Sequence, residues 1–240
     1  MSLRDAWEDN ARAWVAWTRR PELDSFRFHC DLFMAIVPEP GRLTVDIGCG
    51  EGRLARHLKA AGHEVVGIDA SPTMLEFARA EDPDMELHLA DAADLPLEDG
   101  VADLAIAFMS FQDVDDMPRA VQEAARILRT GGTLCLAIVH PLNSAVEFES
   151  LQGDAPAVIA KSYLDDFRYA DVVGDDALSM TFHSAHRPLE AYSRALEDAG
   201  FVITRIREPK MPEGAIRSDA DRRWQRIPMF LHLRAEHRGR

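Results

Sequence analysis

A glycine-rich segment has residue types typical of a ligand-binding turn: Val45-Asp46-Ile47-Gly48-Cys49-Gly50-Glu51-Gly52. A β-branched run precedes the turn and a helical pattern follows it, and glycine lets the backbone approach a ligand closely. A dinucleotide fingerprint of the G-x-G-x-x-G/A type needs glycine or alanine at position 53, where this chain has Arg53. Glu51 adds a carboxylate where a pyrophosphate would lie, so the turn favours a ligand with a cationic part and without phosphates.

Two further acids follow the next two strand-like runs. Asp69 stands 21 positions after Gly48, where a carboxylate can accept both hydroxyls of a ribose. Asp91 and Ala92 follow the third run, where a carboxylate and a free backbone N–H complement the edge of adenine. Together with Asp46 these residues place acids after three consecutive strands, which indicates a nucleoside site.

Strand and helix patterns alternate throughout residues 42–139, and this alternation positions the acids. It predicts right-handed βαβ units and a mostly parallel sheet with helices on both faces and ligands at the carboxyl ends of its strands. The helix that opens at Asp116 is expected to end at Gly131-Gly132. The strand-like runs cover residues 43–47, 64–68, 85–90, 101–108 and 133–139.

The chain divides into four predicted parts around this core. Residues 1–40 form an N-terminal helical cap, with a second helix from Leu23 to Val37, and residues 41–140 form the ligand-binding core. Residues 141–187 are long for a connection, include the aromatic residues Tyr163, Phe167, Tyr169 and Phe182, and turn at Gly174-Asp175, which predicts an inserted hairpin or lid. Residues 188–240 return to the core pattern.

The composition favours a small-molecule partner. The 240 residues include 47% apolar and 28% charged ones, which is typical of a globular protein. Lys and Arg number 27 against 41 Asp and Glu, and the net charge of −14 opposes binding to nucleic acid or anionic lipid. The longest apolar runs are too short to cross a bilayer, and the N-terminus has no basic signal pattern. Three cysteines without such a signal predict reduced thiols and a cytoplasmic protein.

Four segments resemble the class I S-adenosylmethionine-dependent methyltransferases: VDIGCGEG, VVGIDASPTML, LADAADLPLEDGVADLAIA and RILRTGGTLCLAIVHP. Within this class the chain is most similar to the small-molecule branch with a methyltransferase type 11 domain, which includes the ubiquinone and menaquinone C-methyltransferases. The resemblance is close over residues 42–140 and looser over 188–235. It implies a Rossmann-like, doubly wound α/β sheet of seven strands whose last strand is antiparallel, for which residues 227–235 are the candidate.

The resemblance also implies S-adenosylmethionine as the methyl donor and S-adenosylhomocysteine as the product. The residues that it carries over would surround the methionine moiety, the ribose, the adenine and the sulfonium. They are Asp46, Gly48, Cys49 and Gly50 for the methionine; Asp69, Ala70 and Met74 for the ribose; Asp91 and Ala92 for the adenine; and Met109 and Ser110 beneath the sulfonium.

An N-terminal helix often closes the cofactor site in this family. Trp7 and Trp14 fall on one face of the first predicted helix and are the candidates for that closure. Plain hydrophobic packing of the helix onto the core is the alternative.

Methyl transfer from a sulfonium is an in-line displacement, so positioning supplies much of the acceleration and a base is needed only for an acidic acceptor proton. His140 ends the fifth strand and is the candidate base, or else it shapes the pocket by hydrogen bonding. Asp113 is a candidate to orient an acceptor amine or hydroxyl. Alternatively, it belongs with Asp115 and Asp116 to an acidic cluster at the start of the next helix.

The sequence therefore predicts a methyltransferase that acts on a small-molecule acceptor. A protein that binds the cofactor without catalysis is one alternative. A nicotinamide-dependent oxidoreductase is another, which Glu51 and Arg53 disfavour. No metal is expected, because His183 and His186 have no third ligand nearby in the sequence.

Overall fold

The computed structural model describes residues 1–20, 25–174 and 178–239. Residues 23 and 24 of the predicted second helix and Asp175 of the predicted turn lie outside this set. The helices and strands of the described residues are, in chain order, α1 (Leu3–Thr18), α2 (Phe26–Met34), β1 (Thr44–Ile47), α3 (Arg53–Ala60), β2 (Val65–Asp69), α4 (Pro72–Glu81), β3 (Glu86–Leu89), β4 (Ala102–Phe108), α5 (Met117–Ile127), β5 (Leu128–Val139), α6 (Pro141–Ala145), β6 (Val146–Phe148), β7 (Ala157–Ile159), β8 (Phe167–Gly174), β9 (Ser179–His186), α7 (Leu189–Asp198), β10 (Phe201–Arg207) and β11 (Phe230–His237).

A seven-stranded sheet forms the centre of the molecule, in the order β10-β11-β5-β4-β1-β2-β3. β1 pairs in parallel with β2 on one side and β4 on the other, whereas β11 runs antiparallel to both β5 and β10. The predicted doubly wound sheet with an antiparallel last strand is confirmed. The strand order reverses between β1 and β4, so the loops that follow these strands open a crevice at the carboxyl edge of the sheet.

The helix after β4 is shorter than predicted. α5 begins where the Asp116 carboxylate accepts a hydrogen bond from the Arg119 backbone N–H at 3.1 Å, but it ends at Ile127. The expected end at Gly131-Gly132 is wrong, because Leu128 already pairs with Ala102 of β4 as the first residue of β5. Pairing with β4 holds this stretch as strand, and the glycines lie within β5.

One helix lines the crevice, and a hairpin packs against that helix. α1 begins with a capping box between Ser2 and Asp5, and its Glu8 carboxylate accepts hydrogen bonds from the hydroxyls of Ser71 and Thr73 at the start of α4. The antiparallel hairpin of β8 and β9, called the lid hairpin below, packs on the other side of α1. The Trp7 indole N–H donates to the carbonyl of His183 at 2.9 Å and so fastens the helix to the hairpin.

Candidate functional site

A cavity lies in the crevice at the carboxyl ends of β1, β2 and β4, and α1 forms part of its wall. All twelve residues that the sequence suggested for cofactor binding line it, and so does Asp113. The twelve are Trp14, Asp46, Gly48, Cys49, Gly50, Asp69, Ala70, Met74, Asp91, Ala92, Met109 and Ser110.

The glycine loop shapes one wall of the cavity. Gly48 has a φ of 75°, and a Cβ at this position would lie 2.4 Å from the Cβ of Ser110. Ser110 is fixed because its hydroxyl donates to the carbonyl of Ile47 at 2.7 Å. Gly50 has a φ of 56°, and a Cβ there would meet only the Trp14 indole nitrogen, at 4.0 Å. The loop is therefore tight against β4 and open toward the cavity.

Asp46 is a buried acid in the cavity wall. Its side chain is 1% exposed, and its Oδ2 atom has no hydrogen-bond partner in the described part of the chain. Burial, with Asp69 and Glu51 nearby, raises the pKa of Asp46 to about 7. A buried carboxylate oxygen without a partner is costly unless a ligand satisfies it, so Asp46 suits a ligand with a cationic donor such as an ammonium group.

Asp69 connects the end of β2 to the glycine loop. Its two carboxylate oxygens accept from the backbone N–H groups of Gly50 and Ser71, both at 2.8 Å. Burial raises the pKa of Asp69, while these hydrogen bonds act in the opposite direction. Each oxygen retains a lone pair, so the carboxylate can accept two further hydrogen bonds from a ligand.

Asp91 lies beyond the end of β3. Its Oδ1 accepts from the backbone N–H of Ala93 at 2.8 Å, which orients the carboxylate at the cavity wall beside Ala92. This arrangement leaves acceptor capacity for an exocyclic amine.

The loop after β4 is held in an uncommon backbone conformation. Met109 has a φ of 58°, in the left-handed region that non-glycine residues rarely adopt. Its N–H donates to the carbonyl of Ala137, and its own carbonyl accepts from the side-chain amide of Gln112, both at 2.7 Å. Strained residues of this kind cluster at ligand sites, where the surrounding contacts maintain them.

The N-terminal helix contributes both packing and cavity wall. Trp7 and Trp14 meet edge to face with ring centroids 5.6 Å apart, and both pack against Phe182 of the lid hairpin. Both tryptophans also line the cavity. The helix therefore packs through its tryptophans and also contributes to the cavity wall, so the two alternatives do not exclude each other.

Asp113 does not cap the following helix. Asp116 is the N-cap residue of α5, whereas Asp113 belongs to a short 3-10 turn and its carboxylate accepts from the hydroxyl of Ser184 at 2.6 Å. Asp115 instead binds the backbone N–H of Leu3 at 3.1 and 3.2 Å and the guanidinium of Arg168 at 2.5 Å. The alternative of an acidic cluster at the start of the helix does not describe Asp113 and Asp115, because tertiary contacts direct both side chains elsewhere.

His140 lies apart from the residues that line the cavity. Its Nδ1 atom accepts from the backbone N–H of Leu142 at 3.0 Å, so it caps α6, and its Nε2 lies 3.0 Å from a carboxylate oxygen of Glu208. Burial lowers the pKa of His140, against the effect of Glu208. Both ring nitrogens have protein partners, so we no longer propose His140 as the base. Its side chain instead stabilises the backbone that follows β5.

We expect His140→Ala to lower the free energy of unfolding by about 1 kcal/mol, the usual effect of removing an N-cap, and to leave cofactor affinity unchanged. Chemical denaturation and titration calorimetry measure these two quantities. The His140→Asn variant, which keeps an acceptor for the Leu142 N–H, should recover most of the stability. Loss of methyl transfer in a His140→Ala protein of normal stability and affinity would show that His140 takes part in the reaction.

The histidine pair His183 and His186 does not form a metal site in the described residues. His186 is fully buried, with Nδ1 2.7 Å from the Ser144 hydroxyl and Nε2 2.9 Å from the Tyr163 carbonyl. Within the described residues, no group of three His, Cys, Asp or Glu side chains is arranged to hold a metal ion. Among the same residues, no helix has the length and apolar character needed to cross a membrane.

Residues 45–136 match a family model described as a methyltransferase domain. Residues of this chain are 35% identical over 105 positions to the malonyl-[acyl-carrier protein] O-methyltransferase of Pectobacterium atrosepticum, which is 43% of this chain and 42% of that protein. The matched regions span 31% to 44% of the curated relatives, so the chain aligns with less than half of their length.

Solved structures extend the similarity beyond this core. The crystal structure of an S-adenosylmethionine-dependent methyltransferase from Mesorhizobium loti superposes with a TM-score of 0.71 at 27% identity, covering 87% of this chain and 97% of that one. The [4+2]-cyclase SpnF shares the fold with a TM-score of 0.56 at 18% identity, over 86% of this chain and 78% of that one. Residues 45–136 therefore correspond to a methyltransferase domain, and the chain shares its fold with S-adenosylmethionine-dependent methyltransferases.

The sequence analysis did not identify several residues of the site. Arg4 and Phe108 line the cavity, and Ser184 binds Asp113 from the lid hairpin. Arg4 and Ser184 belong to no recognisable motif, because they reach the site through packing between distant segments, whereas Phe108 directly precedes Met109 at the end of β4. Arg53, noted only as a mismatch to the dinucleotide fingerprint, also lines the cavity and stacks over Phe26, with its guanidinium carbon 4.3 Å from the ring centroid.

Proposed function

We propose that the protein is an S-adenosylmethionine-dependent methyltransferase that acts on a small-molecule acceptor. The observation that carries this proposal is the acidic cavity with the unpartnered Oδ2 of Asp46 in its wall. Six carboxylates and two guanidinium groups stand among the described lining residues. They are Asp46, Glu51, Asp69, Asp91, Asp113 and Asp115, and Arg4 and Arg53.

This charge balance favours a ligand with positive charge over a dinucleotide with phosphates. Glu51 also lies in ion pairs with Arg53 and Arg56, at 3.6 and 3.2 Å, directly before α3 begins. These two arginines are therefore engaged with a carboxylate at the helix start where a pyrophosphate would bind. Both features disfavour the nicotinamide-dependent alternative.

Three acids among the described residues suit the ammonium group, the ribose and the adenine of the cofactor. Asp46 would bind the ammonium group, Asp69 the ribose hydroxyls, and Asp91 with the Ala92 N–H the adenine edge. When bound, S-adenosylmethionine supplies an electrophilic methyl group on a positively charged sulfur. Met109 and Ser110, which are fixed by backbone and side-chain hydrogen bonds, would then hold that end of the cofactor in one orientation.

The aromatic wall of the site supports a small acceptor. Trp7 and Trp14 of α1 line the cavity and pack against Phe182 of the lid hairpin, and a concave site with aromatic walls suits a small ligand. The net charge of −14 supports the same conclusion against a nucleic acid acceptor. Both features support a small molecule as the methyl acceptor.

Titration calorimetry with S-adenosylmethionine and, separately, with NAD tests the cofactor. We expect micromolar binding of S-adenosylmethionine and no heat from NAD. Binding of NAD alone would overturn the proposal and require new roles for the three acids. Transfer of labelled methyl groups to a panel of phenols, alcohols and amines then distinguishes an enzyme from a protein that only binds the cofactor.

A further inference from the structure

Asp113 is a buried carboxyl group on the cavity wall that cofactor binding does not account for. It belongs to the loop after β4, three residues beyond Ser110, and it lines the same cavity as Asp46. The inference developed from it rests on the proposed function, since it concerns the methyl acceptor of that site.

Six described side chains from several parts of the fold surround this carboxyl group. Its Oδ1 accepts from the Ser184 hydroxyl at 2.6 Å, and its Oδ2 accepts from the Gln112 amide at 3.0 Å. The other groups that act on it electrostatically or by hydrogen bonding are Trp7 of α1, Tyr169 of β8, Arg187 after β9 and Tyr192 of α7.

Arg187 does not neutralise Asp113 through a direct ion pair. Its guanidinium donates to three backbone carbonyls, those of Phe111, Val114 and Asp115, at 3.4, 2.7 and 3.3 Å. Asp113 is therefore held by neutral donors in the described structure. Burial raises the pKa of Asp113 to about 8, while Ser184, Gln112 and Arg187 act in the opposite direction. Such a carboxyl group exchanges a proton near neutral pH.

We propose that Asp113 receives the proton of a protic methyl acceptor, a hydroxyl or an amine, and that Ser184 of the lid hairpin is the residue that positions it. Transfer forms a bond between the acceptor oxygen or nitrogen and the methyl carbon. The sulfur–methyl bond breaks with its electron pair on sulfur, and the proton released by the acceptor passes to the Asp113 carboxylate.

The position of Ser184 gives the lid hairpin a part in this arrangement. Ser184 lies 71 residues from Asp113 in the sequence and reaches it only because β9 packs against the loop after β4. The same hairpin is fastened to α1 by the hydrogen bond from Trp7 to His183. The hydrogen bond that positions Asp113 therefore depends on how the lid hairpin packs against α1 and the loop after β4.

Carbon-13 NMR titration of aspartate carboxyl groups tests the proposal without a known acceptor. The Asp113 signal is assigned by its absence in Asp113→Asn. Titrations are run on the full chain with S-adenosylhomocysteine and with S-adenosylmethionine, which differ by the methyl group and the positive charge on sulfur. We expect the Asp113 midpoint to be lower by about 1 pH unit with S-adenosylmethionine, because a cation within a few ångströms stabilises the carboxylate.

Ser184→Ala should raise the Asp113 midpoint in both complexes, and Ser184→Thr, which keeps the hydroxyl, should restore it. A merely structural role for Ser184 would leave the midpoint unchanged. Equal Asp113 midpoints in the two complexes would show that Asp113 does not lie near the sulfonium. This result would overturn the inference and leave the proposed function standing. Failure of the wild-type chain to bind S-adenosylmethionine would overturn the proposed function, and the inference with it.

Discussion

Asp69→Ala should weaken binding of S-adenosylmethionine by about 2–4 kcal/mol, or about 30- to 1000-fold in Kd. The variant loses both carboxylate oxygens that would accept the ribose hydroxyls. It also removes the acceptors of the Gly50 and Ser71 backbone N–H groups, so the glycine loop loses its attachment to the end of β2. Titration calorimetry measures the affinity, and thermal unfolding of the empty protein measures the contribution of the loop attachment.

Two variants separate these contributions. Asp69→Asn keeps one oxygen for a backbone N–H but places an amide NH2 where the second acceptor stood, so we expect an intermediate affinity. Asp94→Ala removes an exposed carboxylate in the turn after Asp91 and should bind the cofactor like the wild type. Wild-type affinity in Asp69→Ala would show that Asp69 does not bind the ribose.

The sheet and the acids at its edge are predictable from the sequence because the signals are local. A β-branched run followed by glycines or an acid marks both the strand and its carboxyl end, and parallel strands bring those ends together. This explains why Asp46, Asp69 and Asp91 line one cavity. The end of α5 was mispredicted for the opposite reason, since the pairing of Leu128 with β4 is not a local property.

The cover of the site depends on contacts between distant segments. Trp7 donates to a carbonyl 176 residues away, and Asp113 accepts from Ser184 across 71 residues. No spacing rule reports such contacts, because they follow from the packing of α1 against the lid hairpin. His140 shows the same limit, since a histidine after a strand has the same sequence pattern whether it faces a ligand or caps the next helix.

Cofactor affinity should decrease as the pH falls below about 7, and Asp46 is the expected cause. The pKa of this carboxyl group is about 7 because burial and two neighbouring acids, Asp69 and Glu51, disfavour its charge. An ammonium group binds the carboxylate, so a proton on Asp46 competes with the cofactor. We expect Kd to be nearly constant above pH 7 and to rise toward about tenfold per pH unit below it.

Calorimetry in two buffers of different ionisation enthalpy counts the protons released on binding. The expected release per cofactor bound is about 0.9 at pH 6 and about 0.1 at pH 8, since these are the protonated fractions of a group with a pKa of 7. Asp46→Asn should bind about 10- to 100-fold more weakly at pH 8, with little dependence on pH and no proton release from this site.

The stability of the empty protein provides the control for Asp46→Asn. A carboxyl group whose pKa is higher in the folded than in the unfolded state stabilises the fold below the unfolded pKa, and this contribution is lost as the pH rises through the folded pKa. At pH 8 the wild type therefore holds an uncompensated buried charge, and Asp46→Asn should unfold at a higher temperature. A variant that is more stable and yet binds more weakly cannot owe its weaker binding to unfolding. Unchanged affinity and unchanged pH dependence in Asp46→Asn would show that the ammonium group binds elsewhere.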